Sequence, residues 1–193
     1  GFKGAWLSLW LQSMDAIVKG YSLEPNTTPN LFTEAYVGNN MESEIGDIRD
    51  LNQISKSMLD FNPDVLIHMA AQPLVRYSYK NPIETYSTNI MGTVNVLECA
   101  RKCSNLKSIV SITTDKCYEN KEWLWPYMEN DRLGGYDPYS NSKACTELVT
   151  AAYAGILGQH DILGKHALLF MAEAIEYHPD ASLVYSDEDK ISQ

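Results

Sequence analysis

The sequence has few cysteines, little positive charge and no long apolar run. It holds four cysteines, and 15 Lys and Arg against 25 Asp and Glu give a net charge of −10. This balance argues against a nucleic-acid partner, which would favour a basic patch. No stretch approaches the roughly 18 apolar residues of a membrane helix, and the start GFKGAWLSLWLQ lacks the basic-then-apolar order of a signal peptide. We therefore expect a cytoplasmic protein with no membrane partner.

The cysteines show no spacing typical of metal ligands. Two of them, Cys99 and Cys103, lie on a predicted helix, and the others are Cys117 and Cys145. Buried free thiols are the simplest interpretation, because Cys packs as a small apolar residue. We expect neither a disulfide nor a metal site.

Apolar stretches of strand length alternate with helical patterns along a chain of 193 residues, 45% of them hydrophobic. Such a chain can bury one core. Alternation of this kind predicts an α/β protein with right-handed crossovers, a Rossmann-like doubly wound parallel sheet. The predicted strands are Ala16–Leu23, a short one ending at Gly46, Asp64–Gln72 and Lys107–Thr113, and the predicted helices include Leu51–Asp60 and Pro82–Lys102.

Candidate catalytic residues lie between Ser111 and Lys143. Tyr139 and Lys143 are four apart, so on a helix they share one face, where an ammonium would lower the pKa of the phenol. Thr114, Asp115 and Lys116 follow a strand, at the edge where parallel sheets gather ligands. The tyrosine and lysine taken alone are equally typical of a surface helix contact.

Taken together, the Thr114-Asp115-Lys116 triplet and the Tyr139/Lys143 pair resemble the extended short-chain dehydrogenase/reductase family. Within it they resemble the nucleoside-diphosphosugar 4,6-dehydratases, and lysine in the triplet is typical of members that use CDP-glucose. The resemblance covers residues 1–153. It implies NAD-dependent conversion of a nucleotide sugar, CDP-glucose to CDP-4-keto-6-deoxyglucose, and a possible homodimer formed through the Tyr139 helix.

The resemblance also implies a role for each catalytic residue. Tyr139 would take the proton of the 4-hydroxyl, Lys143 would lower the Tyr139 pKa and hold the nicotinamide ribose, and Thr114 would bind the 4-oxygen. Lys116, neutral through desolvation, would remove the C5 proton while Asp115 protonates the departing 6-hydroxyl.

The first four residues, Gly1, Phe2, Lys3 and Gly4, open an apolar helix. Two glycines alone are typical of a loop, because a dinucleotide fingerprint needs three glycines after a strand. The resemblance implies that they form the end of a phosphate-binding turn, in a sheet truncated at its first strand. The helix that follows repeats apolar residues at Trp6, Leu9 and Trp10.

A ribose contact is expected about 20 residues beyond the glycines, at the end of the second strand. Ser22 and Glu24 are the candidates, and an exposed loop glutamate is the alternative for Glu24. Since no arginine follows that would bind a 2′-phosphate, NAD is favoured over NADP.

Other cofactor contacts follow from the resemblance. Asp47 and Ile48 belong to a Gly-Asp-Ile turn whose Asp faces the adenine, and the alternative for Asp47 is a helix cap. Ala70 and Ala71 would lie against the dinucleotide. Asn89 would hold the sheet and the Tyr139 helix in register. His68 is predicted to be a core histidine without a catalytic role.

From about residue 154 onward the chain resembles a different family, the inverting family-2 glycosyltransferases of the GT-A fold. The similarity lies in His166–Leu168, the helix through Tyr177, His178–Ala181 and Tyr185–Ile191. The acidic metal motif of that family is replaced here by Gly158–Asp161, and a single carboxylate does not hold a hard cation. Asp187, Glu188 and Asp189 are interpreted as a solvated acidic turn.

These similarities divide the chain into a partial NAD-binding dehydratase domain, residues 1–153, and a short αβ segment, residues 154–193. A gene fusion, a rearranged gene or an assembly artefact would each explain the junction. Three alternatives to a dehydratase stay open. A sheet without its first strand would have two unpaired edges and could be a non-catalytic remnant, or could pair with a partner chain. The last segment could also be a glycosyltransferase fragment.

Overall fold

One six-stranded sheet organises the protein, and all of its strands are parallel. The computed structural model describes residues 1–157, 161–162 and 182–187. The strand order is β2-β1-β6-β3-β4-β5. The strands are β1 (Ile17–Ser22), β2 (Glu42–Ile45), β3 (Val65–Met69), β4 (Ser108–Ser111), β5 (Asp161–Ile162) and β6 (Ser182–Asp187).

Helices connect the strands. They are α1 (Phe2–Ser13), α2 (Leu31–Glu34), α3 (Leu51–Phe61), α4 (Val75–Lys80), α5 (Pro82–Tyr86), α6 (Gly92–Ala100) and α7 (Pro138–Leu157). Short 3₁₀ turns cover Val37–Asn40 and Asp115–Cys117. The helix predicted for 82–102 is divided, because a π turn at Ser87–Met91 separates α5 from α6.

Both faces of the sheet are covered, and this confirms the predicted doubly wound α/β fold. Along β3, Leu66 packs into a core with α3 and α6, whereas Val65 and Ile67 pack into a second core with Leu11 of α1. All three β3 residues are buried. Parallel strands covered on both faces need continuous apolar sequence, and the predicted strand Asp64–Gln72 has it.

The face that α1 turns toward the sheet is made of small residues and one leucine. Gly4, Ala5, Ser8 and Leu11 are buried, whereas the side chains of Trp6 and Trp10 are 54% and 45% exposed. The apolar repeat at Trp6, Leu9 and Trp10 therefore does not mark the buried face. Small side chains allow the helix axis to approach the sheet closely, and two indoles in the same place would hold it away.

The centre of the sheet is filled by β6. Five of its residues pair with β1 from Ile17 to Tyr21, and five pair with β3 from Val65 to Met69. The expectation of two unpaired edges inside the sheet is therefore wrong. The strand that fills the gap comes from the segment that resembles glycosyltransferases.

The predicted boundary at residues 153 and 154 lies inside α7, which continues to Leu157. The division into two segments stays a prediction. Most residues that carry the glycosyltransferase similarity lie outside the described residues, namely His166–Leu168, Tyr177, His178–Ala181 and Glu188–Ile191. The same holds for Gly158–His160, where the acidic motif of that family is replaced. Within the described part of the chain, no helix combines the length and the apolar character needed to cross a membrane.

Candidate active site

The candidate site residues lie at one edge of the sheet, where the carboxyl ends of the parallel strands meet. Ser22 ends β1, Ala70 follows β3, and Thr114 lies three residues after the end of β4. An open cleft of about 390 Å³ lies beside the turn that follows β4. Asp115, Lys116 and Ser140 form part of its lining.

Tyr139 lies in the first turn of α7, and its phenol lies near the Thr114 hydroxyl. Its backbone N–H donates to Ser78 Oγ at 3.2 Å. Only 9% of the residue is exposed. Burial, together with the Asp115 and Asp137 carboxylates, raises the pKa of Tyr139, and the Thr114 hydroxyl opposes that effect. The structure therefore brings the tyrosine of α7 close to the threonine that follows β4.

Lys143 lies one helical turn after Tyr139 and is buried, with 5% of its surface exposed. Its Nζ donates a hydrogen bond to the carbonyl oxygen of Ile112 at 3.2 Å. Burial lowers the pKa of Lys143 to about 8, and the charge of Glu147 opposes this effect. The Glu147 carboxylate accepts a short hydrogen bond from the Thr113 hydroxyl.

The expected lowering of the Tyr139 pKa by Lys143 is wrong for this structure. The pKa of the phenol is raised, chiefly because it is buried. The ammonium of Lys143 is instead directed to the Ile112 carbonyl. The two residues share the face of α7 that packs against the end of β4, as their spacing predicts, but they have different partners.

Asp115 and Lys116 are exposed at the cleft. Thr114 caps the short turn that carries them, because its Oγ1 accepts from the Lys116 N–H at 3.4 Å and donates to Asp115 Oδ1 at 3.1 Å. The desolvation that the predicted role of Lys116 requires is not supplied by the described residues. An acid and an amine are nevertheless presented side by side to the cleft.

Asn89 connects the sheet edge to α7 through buried hydrogen bonds. Its Oδ1 accepts from the Gln72 N–H at 2.7 Å, and its Nδ2 donates to Gln72 O at 3.2 Å and to Ser142 Oγ at 2.8 Å. Its carbonyl oxygen accepts from the hydroxyls of Thr93 and Thr146 at 2.6 and 3.1 Å. The π turn that contains Asn89 leaves this carbonyl available to side chains of two helices.

His68 is confirmed as a core histidine. It is buried, and its Nε2 lies 2.9 Å from Thr93 Oγ1. Because the Thr93 hydroxyl donates to Asn89 O, the histidine ring is the donor in this contact. Burial, and secondarily the charge of Lys143, lowers the pKa of His68 to about 3, so the ring is neutral.

Asp47 lies after β2, and its carboxylate is engaged by Arg49. Arg49 Nε donates to the two carboxylate oxygens at 3.0 and 2.9 Å, and these hydrogen bonds lower the pKa of Asp47. The alternative role of helix cap belongs to Asp50, which accepts from the N–H groups of Asn52 and Gln53 at 3.0 Å.

Ile48 is buried against α6. A Cβ at Gly92 would lie 2.3 Å from Ile48 Cδ1, so glycine allows the turn after β2 to contact the helix. Asn95 Nδ2 donates to Ile48 O at 2.9 Å and fixes the same turn. Ala70 and Ala71 are 3% and 4% exposed. Both side chains are small and largely covered by protein, and their contact with the dinucleotide stays a prediction.

The predicted phosphate turn lies at the start of α1, where Gly1 O accepts from Ala5 N at 3.0 Å. Gly1 and Phe2 line an open cleft of about 330 Å³ whose opposite side is the loop from Pro25 to Glu34. Lys3 is exposed and Gly4 is buried. Both clefts fall within the range of volumes typical of small-molecule sites.

The end of β1 carries the two candidate ribose contacts. Ser22 is partly exposed, and its Oγ donates to Leu23 O at 3.1 Å. Glu24 is exposed in the loop that follows, as its alternative interpretation expects.

Several residues that shape the site were not identified from the sequence. Asp137 caps α7, because its carboxylate accepts from the N–H and the hydroxyl of Ser140 at 2.9 and 2.6 Å. Aspartate followed by Pro138 is a recognisable signal for a helix start. Gly135 has φ +155°, and a Cβ there would lie 2.5 Å from the backbone nitrogen of Asn141. Ser78 and the tyrosines of the cleft carry no comparable local signal.

All four cysteines are free thiols, of which Cys99 and Cys117 are buried. Among the described residues, no group of three or more His, Cys, Asp or Glu side chains could hold a metal ion.

Comparison with known proteins identifies relatives of this chain. The sequence model of the family described as GDP-mannose 4,6 dehydratase matches residues 1–166. The chain is 59% identical over 153 residues to CDP-glucose 4,6-dehydratase of Salmonella typhimurium, an alignment that covers 79% of this chain and 43% of the relative. The chain thus spans less than half the length of that protein.

Two solved structures share the fold. UDP-glucose 4-epimerase of Thermotoga maritima, solved with UDP-glucose, superposes with a TM-score of 0.72 at 21% identity over 84% of this chain and 50% of its own. A double mutant of dTDP-glucose 4,6-dehydratase from Streptomyces venezuelae, solved with NAD, gives a TM-score of 0.66 at 23% identity over 78% and 47%.

Proposed function

This chain belongs to the GDP-mannose 4,6 dehydratase family, and we propose that it carries the cofactor-binding and catalytic part of an NAD-dependent nucleotide-sugar 4,6-dehydratase. CDP-glucose is the proposed substrate, and CDP-4-keto-6-deoxyglucose is the proposed product. The observation that carries the proposal is the 59% identity to CDP-glucose 4,6-dehydratase. That alignment spans 153 residues of a chain whose described part brings Tyr139 close to Thr114 beside the Asp115–Lys116 pair.

NAD, which would accept hydride from C4 of the sugar and return it to C6, is the proposed cofactor. Five of the residues proposed to hold it lie at or just after the carboxyl ends of β1, β2 and β3, as in dinucleotide sites. The small buried side chains after β3 and the cleft at the start of α1 are compatible with such a ligand. The proposed contacts are Gly1, Phe2, Lys3, Gly4, Ser22, Asp47, Ile48, Ala70, Ala71, Asn89, Tyr139 and Lys143.

Tyr139 is the proposed base for the sugar 4-hydroxyl. Its phenol and the Thr114 hydroxyl lie close together, so a 4-oxygen placed between them could contact both. With a pKa of about 8, Lys143 is charged at neutral pH.

Lys116 and Asp115 are the proposed pair for elimination of water across C5 and C6. Oxidation at C4 acidifies the C5 proton, which Lys116 would take, while Asp115 would give a proton to the departing 6-hydroxyl. Both side chains line the same cleft. Closing of the cleft around the sugar would supply the desolvation that exposed Lys116 lacks in this structure.

Isotope labelling tests the proposed reaction. CDP-glucose with deuterium at C4, incubated with the chain and NAD, should give a product with one deuterium in its C6 methyl group. The same reaction in D₂O should place deuterium at C5. Both are read by proton NMR. A product that keeps its hydroxymethyl group and is inverted at C4 would instead identify a 4-epimerase and overturn the proposed reaction.

A homodimer formed through α7 is part of the same proposal. Leu148 and Ile156 of α7 are 60% and 63% exposed, and they are apolar side chains that a partner helix could cover. Light scattering should give twice the monomer mass, and Leu148→Glu should return the monomer.

A further inference from the structure

The cleft beside Asp115 and Lys116 has an aromatic wall. Residues 117–134, which we call the site hairpin, leave the turn after β4 and return to α7. The hairpin is closed by Glu119 N–H donating to Arg132 O and Gly134 N–H donating to Cys117 O, both at 2.8 Å. Two of its tyrosines, Tyr118 and Tyr127, line the cleft.

These two tyrosines form a fixed pair. Their rings are stacked, with centroids 5.2 Å apart and planes inclined by 15°. The Tyr127 hydroxyl donates to Asn120 Oδ1 at 3.3 Å, and the same oxygen accepts from Glu122 N–H at 2.9 Å. Because stacking and hydrogen bonding hold the pair before any ligand arrives, little side-chain entropy would be lost on binding.

The walls of the cleft differ in chemistry. The lining includes the charged pair Asp115 and Lys116 and also the stacked rings of Tyr118 and Tyr127. A pyranose matches this arrangement, because its hydroxyls can bond to charged groups while a face of C–H bonds packs on an aromatic ring. A nucleobase would also stack on the tyrosines. This step rests on the proposed function, in which Asp115 and Lys116 act at C5 and C6 of the sugar. The part of the substrate beside them is therefore the hexose.

We propose that the Tyr118–Tyr127 pair is the hexose-recognition platform of this protein and that Tyr127 contributes to specificity for the sugar rather than for the nucleotide. Tyr127 is a binding residue in this account and takes no part in proton transfer.

The test compares CDP-glucose with CDP as probes of the full chain in saturating NAD, by isothermal titration calorimetry. Tyr127→Leu removes the ring, and we expect it to weaken CDP-glucose binding roughly threefold to tenfold, the range of a lost aromatic contact. CDP binding should change less than twofold. Tyr127→Phe keeps the ring and should bind both probes nearly as wild type does. Tyr79→Leu, at an exposed position on α4 away from the cleft, is the matched control.

These outcomes test the proposed platform independently of the proposed reaction. An equal loss of CDP and CDP-glucose binding in Tyr127→Leu, or no loss of either, would overturn the platform even if the chain forms the 4-keto-6-deoxy product. A wild-type chain that binds CDP-glucose no more tightly than CDP would also overturn it. A sugar-specific loss in a chain that forms no product would support the platform and count against the proposed reaction.

Discussion

Asn89 Nδ2 donates a hydrogen bond to Ser142 Oγ at 2.8 Å, and this contact ties the π turn before α6 to the first turns of α7. Ser142 in turn donates to Tyr139 O at 2.7 Å. Asn89 and Ser142 are both buried, so neither has water as a substitute partner. The position of Tyr139 therefore depends on an amide 50 residues earlier in the chain.

We expect Asn89→Leu to destabilise the protein by roughly 2–5 kcal/mol, because it leaves the buried Gln72 N–H and the Ser142 hydroxyl without this partner. Urea unfolding followed by circular dichroism measures the loss. Asn52→Ala, at an exposed position on α3, is the control and should change stability by less than about 0.5 kcal/mol. A loss of similar size in both variants would contradict a specific role for Asn89.

Lys143→Met should change the pH dependence of stability. The pKa of Lys143 falls from 10.5 to about 8 on folding, so below pH 8 burial of the ammonium costs about 3 kcal/mol. The unfolded chain binds more protons between pH 8 and 10.5, so wild-type stability rises across that window. The variant lacks this contribution but also loses the hydrogen bond to Ile112, worth about 1 kcal/mol.

The variant should therefore gain stability relative to wild type at pH 7, and the advantage should disappear by about pH 10.5. Unfolding free energies of the two proteins, measured with urea at several pH values, give the difference directly. A difference that does not change between pH 7 and pH 10.5 would mean that the ammonium is not desolvated.

Alanine substitutions at two glycines, Gly135 just before α7 and Gly155 within it, should change the stability of the protein in opposite directions. Gly135→Ala forces a Cβ to 2.5 Å from the Asn141 nitrogen at a positive φ, and we expect a loss of at least about 2 kcal/mol. Gly155 has nothing within 4 Å of its Cβ position and lies inside a helix, so Gly155→Ala should stabilise the protein by roughly 0.5–1 kcal/mol. Thermal unfolding distinguishes the two, and equal shifts would contradict the account of the turn.

Lys116→Met should separate oxidation from elimination. If Lys116 removes the C5 proton, the variant should still transfer the C4 deuterium to NAD but should form less than about 1% of the wild-type product, since a general base contributes typically at least 100-fold. NMR reads the deuterium on the reduced cofactor and the methyl group of the product. Formation of the methyl group at a rate near that of wild type would mean that another residue removes the C5 proton.

Local patterns explain what could be predicted from the sequence. The strand β3 has a continuous apolar stretch, and the spacing of Tyr139 and Lys143 places both on one helix face whatever surrounds them. The same reasoning could not find the partner of Lys143, because the Ile112 carbonyl reaches it only through packing of α7 on β4. It also misplaced Trp6 and Trp10, because a periodic apolar pattern does not say how closely a helix approaches its sheet.

Two further features depend on contacts between distant residues. The insertion of β6 between β1 and β3 joins residues more than 100 positions apart, and nothing in the sequence of β1 or β3 specifies that partner. The stacking of Tyr118 on Tyr127 needs the hairpin to close, which the antiparallel bridge between Tyr118 and Leu133 provides. Isolated tyrosines in a polar stretch predict neither contact.

The most direct test of a nucleotide site at this sheet edge is urea unfolding of the full chain with and without NAD. A ligand at 100 times its dissociation constant stabilises a folded binder by about 2.7 kcal/mol. We predict a stabilisation of that size with NAD and a smaller one with NADP at the same concentration, because no arginine follows Ser22 in the loop after β1. An unfolding curve that does not change with NAD would contradict the account.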